Sequence, residues 1–244
     1  MNKGRNYYLD MVRGLMVLSM ILYHLFYDLV YFFNYDINFF RGFGISLWQR
    51  GTVVIFLLVS GVSLRFYSDY KKRGLQIFIL GIIITIITYI FNPEEYVLFG
   101  ILSLIGASII LVGLLEKYLV KINSKLGAVL FTILFFIFFN LPRGYLGFGN
   151  YRIFLPRILY ISKYTFPIGL PDSTFTSLDY FPLIPWFLIF LAGFYLGFIL
   201  LKGGYLKAAG RPNILSYIGE KSLIIYLAHQ VVIYGVIYIV SRFV

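Results

Sequence analysis

The amino-acid sequence predicts an all-α fold, a polytopic integral membrane bundle of about seven transmembrane helices with a cytoplasmic N-terminus. Three observations predict it. The chain of 244 residues is 60% apolar, 20% aromatic and only 13% charged, a composition outside the range of water-soluble domains. Its apolar residues gather into stretches of the ~20 residues that cross a hydrocarbon core of ~30 Å. Its cations collect at alternate ends of those stretches, as cytoplasmic loops require.

The stretches run over 12–33, 45–66, 75–91, 97–115, 124–141, 181–201 and 222–240. The first follows a charged start, MNKGRNYYLDMVRG, like that of a signal peptide, but its apolar run is too long and no small-residue cleavage site follows, so a retained helix is expected. Gln49 and Arg50 open the second and Arg65 closes it. Lys71, Lys72 and Arg73 precede the third, Glu94 and Glu95 precede the fourth, and Lys125 and Asn140 crowd the ends of the fifth. Residues 142–180 form a long connection rich in Gly, Pro and aromatics, expected to be a packed external loop. Within it, 151–161 is apolar but holds Arg152, Pro156 and Arg157, which suits an interfacial or re-entrant piece. With neither internal repeats nor low-complexity tracts, residues 1–244 read as one domain.

With the N-terminus inside, the cytoplasmic side takes Lys3, Arg5, Arg13, Arg65, Lys71, Lys72, Arg73, Lys117, Lys121, Lys125, Lys202, Lys207, Arg211 and Lys221, which is 14 of 21 cations. Arg41, Arg50, Arg143, Arg152, Arg157, Lys163 and Arg242 face out. Topology and anionic lipid heads then account for the net charge of +11, and nucleic acid is not an expected partner. The chain has no Cys and two His, which excludes thiol chemistry and leaves no conventional zinc site, so no metal is expected.

The first stretch carries His24 and Asp28 in its apolar middle. At ~100° per residue, Asp10, Arg13, His24 and Asp28 fall within about 60° of one another, a polar stripe along one helix face. A rise of ~1.5 Å per residue sets His24 about 16 Å deeper than Arg13. Ionisable groups inside spans are costly and mark functional sites by default, although His24 and Asp28 can also serve as hydrogen-bonding glue between helices. His229 in the last stretch is placed to meet His24 near mid-membrane, with Gln230 beside it. Lys71, Lys72, Arg73 and Arg65 suit a phosphorylated donor as well as they suit positive-inside topology. Arg50 either holds an anionic or sugar-like acceptor or snorkels to the interface.

These residues sit in segments that resemble a known family. "YLDMVRGLMVLSMILYHLFYD" is similar to the opening of the membrane acyltransferases related to heparan-alpha-glucosaminide N-acetyltransferase. The likeness continues in order through "VIFLLVSGVSLRFY", "LFGILSLIGASIIL", "LDYFPLIPWFLIFLAGFYLG" and "YIGEKSLIIYLAHQ". Asp10, Arg13 and His24 match the first motif, Asp179 and Tyr180 the loop motif, and His229 the last. The chain departs from the pattern at Ser103, where relatives often carry His, and at Val231, where they often carry Pro.

The resemblance implies a multi-pass acyltransferase of the cell membrane. It would move an acyl group, usually acetyl, from cytoplasmic acetyl-CoA or another acyl-CoA to a sugar amine or hydroxyl at the external face. Under that implication Arg13, Arg65, Lys72 and Arg73 hold the CoA phosphates. His24 acts as base or acyl carrier with Asp28 in support and His229 nearby. Arg50, Asp179 and Tyr180 meet the acceptor, with Trp186 a further ring for a sugar face. The bilayer and a sugar or glycan acceptor are the expected partners, and self-association into a homo-oligomer is compatible with the reading. Two other classes fit the same intramembrane groups: a proton-coupled transporter, which would usually show internal repeats, and a non-catalytic membrane protein that keeps the fold.

Overall fold

The computed structural model describes residues 5–40, 42–66, 69–206 and 209–242. Lys3, Arg41 and Lys207, used above for topology, lie outside the described residues. Helices α1 (Tyr7–Tyr31), α2 (Phe43–Ser63), α3 (Tyr70–Phe91), α4 (Ile101–Leu119), α5 (Ser124–Phe138), α6 (Leu183–Lys202), α7 (Ile214–Glu220) and α8 (Ser222–Val240) account for most of the fold. Among the described residues a single hairpin, β1 (Tyr145–Phe148) with β2 (Tyr151–Phe154), interrupts them. Seven helical segments among the described residues are long and apolar enough to cross a membrane, so the all-α, seven-span expectation holds. The helices overrun the apolar stretches where polar residues can close them. Asn6 caps α1 by accepting from Leu9 N, and Asp69 caps α3 by accepting from Lys72 N.

The chain forms two compact units. The first comprises residues 1–59 and 204–244 and holds α1, α7, α8 and most of α2. Small residues let its backbones touch: a Cβ on Gly14 would stand 2.0 Å from the Leu215 carbonyl oxygen, and one on Gly219 would stand 1.8 Å from that of Asp10. Asn213 and Ser216 form a capping box that starts α7. Tyr7 N donates to Ala209 O and Asn6 Nδ2 donates to Tyr205 O, which ties the entry to α7 against the start of α1. Farther along α1, Trp48 Nε1 of α2 donates to Ser19 Oγ at 2.8 Å, and Thr52 Oγ1 lies 2.8 Å from the same hydroxyl.

The second unit comprises residues 60–203, in which α3 pairs with α4 and α5 with α6. Its centre is α4 and α6, which bury most of their apolar side chains, whereas α3 and α5 leave most of theirs exposed. Tyr195 of α6 is fully buried, stacks on Phe131 at 5.6 Å and donates to Leu119 O at 2.8 Å, joining α6 to α5 and the end of α4. The 142–180 connection is tied down at several points, while residues 151–154, 156–159 and 161–164 are exposed. Tyr160 Oη donates to Leu141 O, Asn140 Nδ2 to Gly147 O, and the amides of Leu178 and Phe181 donate to Tyr96 O and Phe99 O. Its apolar 151–161 piece is strand β2 followed by a short turn at Arg157–Tyr160.

Candidate functional site

The polar stripe of α1 ends in a cluster with α8, inside the first unit. The His24 ring of α1 lies 4.8 Å, centroid to centroid, from the His229 ring of α8, tilted by 60°. His24 also meets the Tyr23 ring edge-on at 5.7 Å. One turn beyond His24, Asp28 is 0% exposed. Both of its carboxyl oxygens accept from one donor, the Gln230 side-chain amide, at 2.9 and 3.0 Å. The i,i+4 spacing of His24 and Asp28 allows direct contact, but among the described residues Asp28 engages Gln230 and not His24. Asp28 is therefore tied to α8, and the residue that it grips is the covalent neighbour of His229.

His229 has a defined hydrogen-bonding role. Its Nδ1 lies 2.5 Å from the Tyr226 carbonyl oxygen, which can only accept, so Nδ1 carries the proton and Nε2 keeps the lone pair. Among the described residues Nε2 of His229 and Oε1 of Gln230 are buried without a hydrogen-bond partner. A buried acceptor left unmade is costly, and a substrate N–H or O–H, or a proton in transit, would satisfy it. A basic imidazole nitrogen beside a second imidazole provides a proton acceptor next to a nucleophile.

At the N-terminal end of α1, Asp10 is held between two guanidinium groups. Arg5 Nε donates to its Oδ2 at 2.6 Å and Arg13 Nη1 to its Oδ1 at 2.8 Å, while Arg5 Nη1 reaches Glu220 at 2.8 Å. The hydrogen bond to Asp10 raises the already high Arg5 pKa. Asp10, Arg13 and His24 thus lie on one helix, the first two joined as an ion pair. Arg50 is half-buried on α2 in the same unit.

The other site residues expected from the sequence belong to the second unit. Arg65 stacks over the Phe194 and Phe198 rings at 4.3 and 4.1 Å, while Lys72 and Arg73 are exposed in the first turn of α3. Asp179 Oδ2 accepts from Ile101 N at 3.5 Å, a carboxylate at the N-terminus of α4. Tyr180 Oη donates to Phe166 O, and burial holds its phenol above the usual pKa. Trp186 is buried against Phe135, Phe139 and Phe181. Ser103 is buried where α4 crosses α3, beside Gly81, whereas Val231 is exposed on α8. Among the described residues no group of His, Asp and Glu is placed to hold a metal ion.

Sequence reading missed the partnership of Asp28 with Gln230 and the contact of Glu220 with Arg5. The available signal for the first was a second intramembrane polar residue adjacent to His229.

The sequence model of the family described as "Heparan-alpha-glucosaminide N-acetyltransferase, catalytic" matches residues 5–231. Comparison with curated proteins and with solved structures yields no match.

Proposed function

Because the chain belongs to the heparan-alpha-glucosaminide N-acetyltransferase catalytic family, we propose that it transfers acetyl groups from acetyl-CoA to a sugar amine or hydroxyl. The protein is an integral membrane protein of a membrane-acetyltransferase family. The donor, the acceptor, the sidedness and the cell-membrane location are parts of the proposal. The observation that carries it is the His24–His229 ring pair, with His229 Nδ1 spent on Tyr226 O and Nε2 left as a buried base.

In the first half-reaction a His24 ring nitrogen attacks the thioester carbonyl. A C–N bond forms, the C–S bond breaks, and the His24 ring proton passes through His229 Nε2 to the departing sulfur, releasing CoA as a thiol. In the second, the acceptor's nitrogen or oxygen attacks the acetyl carbonyl. The C–N bond to His24 breaks, and the acceptor's proton returns by way of His229 to the His24 ring. Asp28 and Gln230 position His229 and do not touch the reacting atoms. Arg13, Arg65, Lys72 and Arg73 are assigned to the CoA phosphates because guanidinium and ammonium groups bind them by charge-assisted hydrogen bonds. Arg50, Asp179 and Tyr180 are assigned to the acceptor.

Purified protein in proteoliposomes, supplied with acetyl-CoA and an amino sugar, tests the proposal. Release of CoA thiol coupled to acetylated sugar supports it. His229→Ala is expected to slow that transfer ~10²- to 10⁴-fold with donor affinity retained. Proton-coupled uptake of a small molecule with no thiol release would favour the transporter class instead.

A further inference from the structure

The hairpin and the turn after it, residues 145–161, present a surface that the acetyl-transfer reading does not use. Residues 142–164 hold four cations, Arg143, Arg152, Arg157 and Lys163, and no Asp or Glu. Outside that stretch, Asp172 interacts electrostatically with Lys163. Between the cations, large apolar side chains stand clear of the protein: Tyr151 is 90% exposed, Phe154 75%, Ile158 73%, Ile161 69% and Ile153 68%.

The level of this surface is set by its attachment to α5. The chain leaves α5 at Phe138, turns through Leu141–Arg143 and folds back. The Phe148 ring then stacks on Phe139 at 5.7 Å and faces Phe136 at 6.5 Å, and Phe136 lies on the exposed side of α5. The hairpin therefore lies against the last turn of a membrane-spanning helix. Being two-stranded, it has an open edge along β2, whose outward backbone N–H and C=O groups meet no further strand among the described residues. Such an edge is excluded from hydrocarbon, while the apolar side chains beside it are costly to leave in water. Both demands are met at the boundary between headgroups and acyl chains.

From this we infer that residues 145–161 form an interfacial anchor that takes anionic lipid headgroups of the leaflet where α5 ends. Ile153, Phe154 and Ile158 enter the top of the acyl layer, and Arg157 and Lys163 contact the phosphates. Arg152 has its guanidinium over the Tyr145 ring at 5.1 Å and supports the hairpin. The inference is independent of the acetyl-transfer reading, and its readout is spectroscopic.

The chain is free of Cys, so Ile153→Cys carries a unique environment-sensitive fluorophore in the full protein, one chain per nanodisc. Discs are made of phosphatidylcholine alone or mixed with phosphatidylglycerol. The probe is expected to be quenched by lipids brominated near the top of the acyl chain and shielded from aqueous iodide. The protein should recruit phosphatidylglycerol in preference to phosphatidylcholine, and Arg157→Gln and Lys163→Gln should each reduce that preference about fivefold. Arg157→Lys should restore it, which separates charge from misfolding. Iodide access as full as that of a water-exposed site, or a lipid preference unmoved by the two Gln variants, overturns the inference. Shielding that needs a soluble anionic polysaccharide overturns it in favour of a glycan surface, and shielding seen only with two chains per disc overturns it in favour of self-association.

Discussion

Asp28 and Gln230 stand 202 positions apart in the chain, and the pair is predicted to lock α8 against α1. Substituting either residue by Ala leaves the other buried without its partner, which costs about 1–3 kcal/mol. Side-chain hydrogen bonds between helices in membranes measure ~0.6 kcal/mol on average and up to ~1.7. Here two bonds of 2.9 and 3.0 Å converge on a carboxyl group that is 0% exposed, so a coupling near the upper end, ~1.5 kcal/mol, is expected. A double-mutant cycle over Asp28→Ala, Gln230→Ala and the combination, followed by reversible unfolding in bicelles, measures it. The same cycle on transfer rate should show the double variant little worse than either single, because both residues act through His229. Stability effects that add within ~0.3 kcal/mol would refute the lock.

Arg13→Ala should raise the KM for acetyl-CoA more than it lowers kcat, since a phosphate contact contributes mainly uniform binding; steady-state kinetics showing a lower kcat at unchanged KM would assign Arg13 to holding Asp10 instead. Gly14→Ala should destabilise the protein by at least ~1–3 kcal/mol, because its Cβ would meet the Leu215 carbonyl oxygen at 2.0 Å; a thermal unfolding midpoint equal to wild type would contradict that packing. The Thr174 hydroxyl and then its amide hold Asp172 below the usual carboxylate range. A folded pKa below the unfolded value means that the turn's contribution is present above the unfolded pKa and lost as pH falls through the folded one. Thr174→Ala should move the Asp172 titration upward in NMR spectra of the carboxyl carbon.

The spans were legible because burial in lipid demands ~20 apolar residues and leaves few alternatives. The stripe of Asp10, Arg13, His24 and Asp28 was legible because one helix repeats every 3.6 residues. What that periodicity cannot supply is rotation of one helix against another. Asp28 faces Gln230 because of how α8 is turned, a matter of packing around distant residues. Helix α7 escaped notice because seven residues, Ile214–Glu220, are too short for a periodic signal. Its place against α1 follows from Gly14 and Gly219, whose pairing is visible only in three dimensions. The hairpin had a local signal, Gly149-Asn150 between two aromatic-rich runs, but the flanking Pro156 and Arg157 pointed to an irregular interfacial piece.

In the proposed reaction His24 takes the acetyl group while His229 handles the proton. Its most direct test is to incubate the purified protein with acetyl-CoA labelled in the acetyl group, without acceptor, and to map label on the protein by mass spectrometry after rapid acid quench. An acetyl group is expected on the His24 ring, matched by one CoA thiol released per labelled chain and discharged on adding an amino sugar. Folded His24→Ala should carry no label. Acetylated sugar formed at a near-normal rate by folded His24→Ala, with no labelled histidine in the wild-type protein, would contradict it.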